Sequence, residues 1–230
     1  MIRSLLAHIF WIVTTPFAAL IAIPWALATG NVMPLYHAGS WIAWTGIRIA
    51  GVKVDVEGLD RIDPQRTYVF LSNHASNLDP PILLPLIPRR TSVLVKKELF
   101  RIPIFGRAMR LASLVPVDRS NRDKAIESLR QACDVLRAGI NMMVFVEGTR
   151  SRDGRLLPFK KGPFYLAMET GVPIVPVTIA GTHELQPKGM PLSRTGTVKV
   201  VFHAPVDPTH YEDREALMAV VRDTIASRLQ

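Results

Sequence analysis

Met142-Met143-Val144-Phe145-Val146-Glu147-Gly148-Thr149-Arg150 is the stretch that decides the fold. Its unbroken apolar run reads as a buried strand, and a polar turn follows at once. Polar groups at the end of such a strand in an α/β sheet fall where ligands bind. Working outward, the pattern alternates. Strands are expected at Val52–Val56, Tyr68–Leu71, Ser92–Val95, Leu114–Val117, Ile174–Ile179 and Thr197–Phe202, and helices at Pro80–Leu86, Arg122–Ala138, Pro163–Thr170 and Arg214–Leu229. This alternation predicts an α/β fold in which a central mixed sheet is flanked by helices. Gly154 and Gly181-Thr182 mark loops inside one domain, residues 51–230.

Some 70 residues before that turn stands Asn73-His74-Ala75-Ser76-Asn77-Leu78-Asp79-Pro80-Pro81. A histidine and a carboxylate five positions apart supply an imidazole that can take a proton and a group that can orient it. On a helix five residues rotate by about 140°, and on a strand they end on opposite faces. The two side chains meet only if the chain turns, and Ser76-Asn77 with Asp79-Pro80 is turn chemistry. Asp79 reads as an N-cap, with Pro80 at the first helical position. With six histidines in the chain the pair alone arises readily by chance; it gains weight from the 147–150 cluster.

Four ordered motifs make the chain resemble the glycerophospholipid acyltransferases, most closely those acting on 1-acylglycerol 3-phosphate. They are Asn73-His74 with Asp79, Leu114-Val115-Pro116-Val117-Asp118-Arg119, Phe145-Val146-Glu147-Gly148-Thr149-Arg150, and Val172-Pro173-Ile174-Val175-Pro176-Val177. Val146 stands where that family usually has proline, and Ala112-Ser113 replace the glycine that opens the second motif. The resemblance implies a glycerol-3-phosphate acyltransferase-like fold and transfer of a fatty acyl group from a thioester to a free glycerol hydroxyl, giving phosphatidic acid. His74 would be the general base and Asp79 its orienting partner, with no acyl-enzyme. Arg119 and Arg150 would seat the acceptor phosphate bidentately, and Glu147, Gly148 and Thr149 would belong to the same acceptor site. Glu147 also admits a structural reading, capping a backbone turn. Asn73 would support the His74 loop, and Lys160 and Lys161 would add to the phosphate field or form a solvated pair. No cofactor is implied; acyl-CoA or acyl-[acyl-carrier-protein] would be the co-substrate.

Composition bears on partners and place. The chain of 230 residues carries a net charge of +9 and a single cysteine, Cys133. One cysteine excludes an intramolecular disulfide; within a helical stretch beside Ile126, Leu129 and Leu136 it reads as a packed small hydrophobe. No Asp, Glu, Lys or Arg occurs from Ser4 to Ile47, and all four tryptophans fall there. Leu5–Ala28 as a helix would reach roughly 36 Å, enough for a hydrocarbon core of about 30 Å. Pro16 and Pro24 argue for a kinked or shallow course, and Leu35–Ala50 forms a second apolar helix. Residues 1–50 are thus expected to be a membrane-associated helical hairpin. A cleaved signal peptide and a buried core hairpin are the rival readings. Positive charge after the hairpin favours a catalytic domain on the cytoplasmic face of the inner membrane.

Between Arg89 and Arg110, seven cations stand against Glu98 alone, interleaved with Leu99, Phe100, Ile102, Ile104 and Phe105. Such a run suits an anionic membrane surface, the phosphates of coenzyme A or an acidic carrier protein. No nucleic-acid module accompanies the high charge. The remaining histidines lack metal-ligand spacing, and no Gly-x-Ser-x-Gly elbow supports a hydrolase. Within the resembled chemistry the acceptor stays open between 1-acylglycerol 3-phosphate, another lysophospholipid, a lyso-aminolipid and glycerol 3-phosphate. A lipid hydrolase or a non-catalytic lipid-binding protein is the remoter alternative.

Overall fold

A computed structural model describes residues 1–118 and 122–229. The chain runs α1 (Ile2–Thr29), α2 (Met33–Ile49), β1 (Val52–Glu57), β2 (Val69–Ser72), α3 (Asp79–Leu86), β3 (Thr91–Lys96), α4 (Phe105–Leu111), β4 (Val115–Val117), α5 (Arg122–Arg137), β5 (Asn141–Phe145), α6 (Gly162–Thr170), β6 (Ile174–Ala180), the single turn α7 (Thr182–Leu185), β7 (Gly196–Phe202) and α8 (Arg214–Ala226). The seven strands form one mixed sheet in the order β1-β7-β6-β2-β5-β3-β4. β6, β2, β5, β3 and β4 are parallel to one another, β7 is antiparallel to β6, and β1 pairs parallel with β7.

Alternation along the strands builds two cores. Phe70, Met143, Val175 and Val198 face one side, where α2 supplies Ile47 and α3 supplies Ile82 and Leu83. Val69, Leu71, Met142 and Val144 face the other, under Cys133 and Leu136 of α5, Phe164 of α6 and Leu217 of α8. Strands covered on both faces need apolar residues at successive positions, which is why the central strands read as continuous runs. Cys133 is buried there, and burial pushes its thiol up from the ordinary range, as a packed small hydrophobe would be.

The N-terminal helices pack on each other through small residues. Ala19, Ala22, Ile23 and Ala26 of α1 are buried at i, i+3, i+4 and i+7, and Trp11 donates its indole N–H to the Ile42 carbonyl at 3.1 Å. Glycine at 46 admits that ring, since a Cβ there would lie 2.0 Å from Trp11 Nε1. The helix continues through Pro16 and Pro24. Its outer face leaves Ile12, Phe17, Leu20 and Ile21 exposed, and among the described residues α1 is the one helix long and apolar enough to cross a membrane.

Two expectations change. Helix α3 begins at Asp79 itself, and no side chain caps it; the Asp79 carboxylate turns back into the preceding loop. The stretch after β3, read only as a basic run, folds into a 3-10 turn (Lys97–Arg101) and α4. Pro103 and Gly106 had masked its helical character.

Candidate active site

Five parallel strands end on one edge of the sheet, where His74 follows β2, Glu147 follows β5, Lys97 follows β3 and Asp118 follows β4. The edge is therefore where an α/β sheet places a ligand.

The His74 ring meets Asp79 across the turn, Nδ1 to Oδ2 at 2.7 Å. The same Oδ2 accepts the backbone N–H of Ala75 at 2.8 Å and of Ser76 at 2.9 Å. Asp79 is fully buried, whereas 14% of the His74 side chain is exposed. An ionised carboxylate only accepts, so Nδ1 carries the proton and Nε2 is left with its lone pair. The ring lies stacked on Phe145, centroids 3.9 Å apart and planes at 16°. Orientation of the imidazole is thus fixed by both its edge and its face.

Its backbone is clamped by the turn after β5. His74 N–H donates to Glu147 Oε1 at 2.8 Å, and Ser151 N–H donates to the His74 carbonyl at 2.8 Å. Glu147 Oε2 accepts from Leu157 N–H at 2.9 Å. Glu147 is buried, and burial raises its carboxyl above the usual range against the pull of those two backbone bonds. Both oxygens are engaged by backbone N–H groups, the structural reading of this residue, so Glu147 holds the His74 backbone in place. Gly148 makes the turn possible at φ 68°, and a Cβ there would sit 3.2 Å from Lys160 Cγ. Lys160 thus lies over the turn, while Lys161 points elsewhere, paired with Glu215 at 2.8 Å.

Asn73 extends the sheet. Its amide donates to the Ile179 carbonyl at 2.8 Å and accepts from Ile179 N–H at 2.9 Å, tying the end of β2 to β6. Ser76 Oγ donates to the Gln186 carbonyl at 2.9 Å and accepts from Leu78 N–H at 3.1 Å. Arg150 is half-buried, and its guanidinium has no hydrogen-bond or ion-pair partner among the described residues. Arg119 lies outside the described residues. Thr149 is exposed, its hydroxyl receiving Lys188 Nζ at 3.3 Å; the same ammonium donates to the Arg150 carbonyl at 3.1 Å. Lys188, in a Pro-Lys-Gly loop, gave no local signal in the sequence. Lys97, one cation of the basic run, pairs with Asp118.

An apolar cavity of about 350 Å³ opens between α1, α2, α3 and α4, with Ala19, Tyr36, Gly39, Pro81, Leu84 and Met109 among its walls. Pro80 and Pro81, which follow Asp79 in the chain, place it next to the turn. Among the described residues no group of three or more His, Cys, Asp or Glu is arranged to hold a metal ion.

A family model described as Acyltransferase matches residues 53–180. The 1-acyl-sn-glycerol-3-phosphate acyltransferase of Cocos nucifera is 35% identical over 199 residues, 85% of this chain and 63% of that protein. The mouse (Mus musculus) 1-acyl-sn-glycerol-3-phosphate acyltransferase alpha is 31% identical over 173 residues, 75% of this chain and 61% of that protein. The chain spans about half to two thirds of the length of the curated relatives it matches. The crystal structure of the 1-acyl-sn-glycerophosphate acyltransferase PlsC from Thermotoga maritima superposes with a TM-score of 0.84 at 29% identity, covering 97% of this chain and 93% of that one.

Proposed function

The chain belongs to the acyltransferase family, and on that premise we propose that it moves a fatty acyl group from an acyl thioester to the free hydroxyl of 1-acyl-sn-glycerol 3-phosphate, yielding phosphatidic acid. The observation that carries this reading is the His74–Asp79 contact, which assigns the ring proton to Nδ1 and leaves Nε2 to accept, on a side chain that stays partly exposed. In the proposed reaction Nε2 takes the proton of the glycerol hydroxyl as its oxygen attacks the thioester carbonyl. Collapse of the tetrahedral adduct breaks the carbon–sulfur bond, and the imidazolium returns the proton to the departing thiolate. Asp79 holds the tautomer before proton transfer and stabilises the imidazolium after it.

Acceptor phosphate is assigned to Arg150, with Lys188 and Lys160 nearby and Arg119 from the sequence reading; a guanidinium without a partner suits a phosphate that it can meet bidentately. The apolar cavity beside Pro80 and Pro81 has the size and lining of a ligand pocket, and is assigned to an acyl chain. Acyl-CoA or acyl carrier protein would deliver that chain. The exposed apolar face of α1 supports membrane attachment of the hairpin, and the cations that follow it favour a catalytic domain on the cytoplasmic face.

The deciding test incubates the full chain with labelled acyl-CoA or acyl carrier protein and a panel containing 1-acylglycerol 3-phosphate, other lysophospholipids, a lyso-aminolipid and glycerol 3-phosphate. Labelled phosphatidic acid, absent with His74→Ala, is the expected result. Product from another acceptor moves the substrate assignment, and the same product from the His74→Ala protein removes the mechanism.

A further inference from the structure

Between β3 and β4 the chain bulges from the edge that carries His74, and residues 101 to 105 are all exposed. Leu99, Ile102, Ile104 and Phe105 stand out at 39%, 45%, 45% and 41% exposure. Large apolar side chains clustered on a surface mark a contact. The backbone holds them outward. Ile104 has φ 63° and ψ −60°, and Phe105 N–H donates to the Pro103 carbonyl at 2.6 Å, a γ-turn of the rare positive-φ kind. A β-branched residue takes that conformation only under strain. Inside the bend Phe100 is buried, and a Cβ at Gly106 would fall 2.1 Å from its carbonyl oxygen. The segment is a fixed knuckle with an apolar crest.

Cations surround the crest, and the structure separates those in use from those on offer. Arg89 donates to the Gln65 and Gly139 carbonyls, Arg90 to the Leu111 carbonyl and Ser113 Oγ, and Lys97 pairs with Asp118. Arg110 donates to the Phe100 carbonyl at 3.3 Å, whereas Arg101 and Arg107 are exposed and, among the described residues, have no hydrogen-bond or ion-pair partner for their side chains. Helix α4 also packs against α1, and Phe105 and Met109 share the wall of the apolar cavity with Ala18 and Ala19. The crest therefore adjoins the apolar exterior of the hairpin.

We infer that this knuckle is a second lipid contact: Leu99, Ile102, Ile104 and Phe105 enter the outer acyl region of an anionic bilayer, while Arg101 and Arg107 meet its phosphates. The inference rests on the reading of the hairpin as membrane-attached. An acidic carrier protein would satisfy the charges and leave the four apolar side chains without a use; a bilayer satisfies both, and its surface continues onto α1. Two contacts fix an orientation where one leaves rotation free. Because the knuckle begins where β3 ends, it turns the sheet edge bearing His74 toward the lipid surface.

Cys133 is buried, so an added cysteine can be labelled selectively. Full-length protein carrying Ile102→Cys is labelled with nitrobenzoxadiazole, and Arg130→Cys, on α5 across the sheet, serves as control. Vesicles of equal parts phosphatidylglycerol and phosphatidylcholine should shift the emission at 102 to the blue and leave 130 unchanged. Reversing two cations, Arg101→Glu with Arg107→Glu, should weaken binding to these vesicles by about tenfold or more and leave binding to pure phosphatidylcholine unaltered. An unshifted label at 102 on protein that co-sediments with vesicles overturns the inference and spares the hairpin reading. Protein that fails to co-sediment brings down both. A shift produced by soluble acyl carrier protein in place of vesicles also overturns it, in favour of protein docking.

Discussion

At the scale of single residues, the imidazole of His74 is held from four directions: Asp79 at its edge, Phe145 against its face, and Glu147 and Ser151 on its backbone. In the proposed reaction such a group contributes through proton transfer and little through packing. His74→Ala should lower turnover by about 10²–10⁴-fold or more while the thermal midpoint stays within a few degrees; product assays beside a melt decide it. Glu147 offers a test by pH. Its folded-state value is raised, so the folded protein holds a proton there that the unfolded chain has released. The stability it contributes is present at low pH and is lost as pH climbs from the ordinary 4.5 through the raised value. In urea titrations the stability of the native protein minus that of Glu147→Gln should therefore fall with rising pH over that window, on top of a constant offset of about 1 kcal/mol for one lost backbone bond. A flat difference would mean that the carboxylate is not desolvated. Lys188→Met should raise the acceptor KM several-fold more than the donor KM, with Lys188→Arg restoring it; equal effects on both would leave Lys188 as a loop pin only. Of these residues His74 and Asp79 were legible because turn chemistry forces a contact at that spacing. Phe145 was not: its place against the ring depends on the β2–β5 register, which opposes Ser72 to Phe145. Lys188 acts across 38 residues of chain, and nothing near it in the sequence points there.

Elements show the same division. The central strands were readable to within a residue or two because burial on both faces leaves an unbroken apolar signature. What set their neighbours was not. The side chain of Asn73 continues the β2–β6 ladder past the last paired strand residue, a bond between residues 106 apart that no local pattern announces. Asn73→Ala leaves the Ile179 N–H and carbonyl without their partner in a buried setting. It should cost about 2–6 kcal/mol in chemical denaturation, on the measure of one to three per orphaned group, and should lower turnover too, since the His74 turn hangs from that junction. Full activity in a destabilised Asn73→Ala protein would separate the ladder from the turn. Helix α4 escaped the sequence for a different reason. Its residues present cations and apolar groups without helical spacing, and Gly106 looks like a breaker although close approach to Phe100 requires it.

For the whole molecule, composition divides the chain near residue 50, whereas packing does not. Ala7, Ile47 and Ala50 belong to the same core as Val52, Ile82 and Phe202, and Ser4 Oγ accepts the Ser193 N–H at 2.8 Å, both residues buried. A helix without charge beyond Arg3 and with apolar residues on every side gives no periodicity from which to tell an inner face from an outer one, so the shared core could be seen only once the hairpin was placed. The consequence is testable by truncation. A chain of residues 51–230 would uncover the apolar surface that Ile47 and Ala50 close, at a cost of several kcal/mol for a few large buried side chains. It should melt well below the full chain, or aggregate, even when both are measured in detergent. Restoring α2 alone should recover part of that loss, because Ile47 sits on α2 and Ala7 on α1. A truncated chain that melts with the full-length protein would make the hairpin an anchor and nothing more.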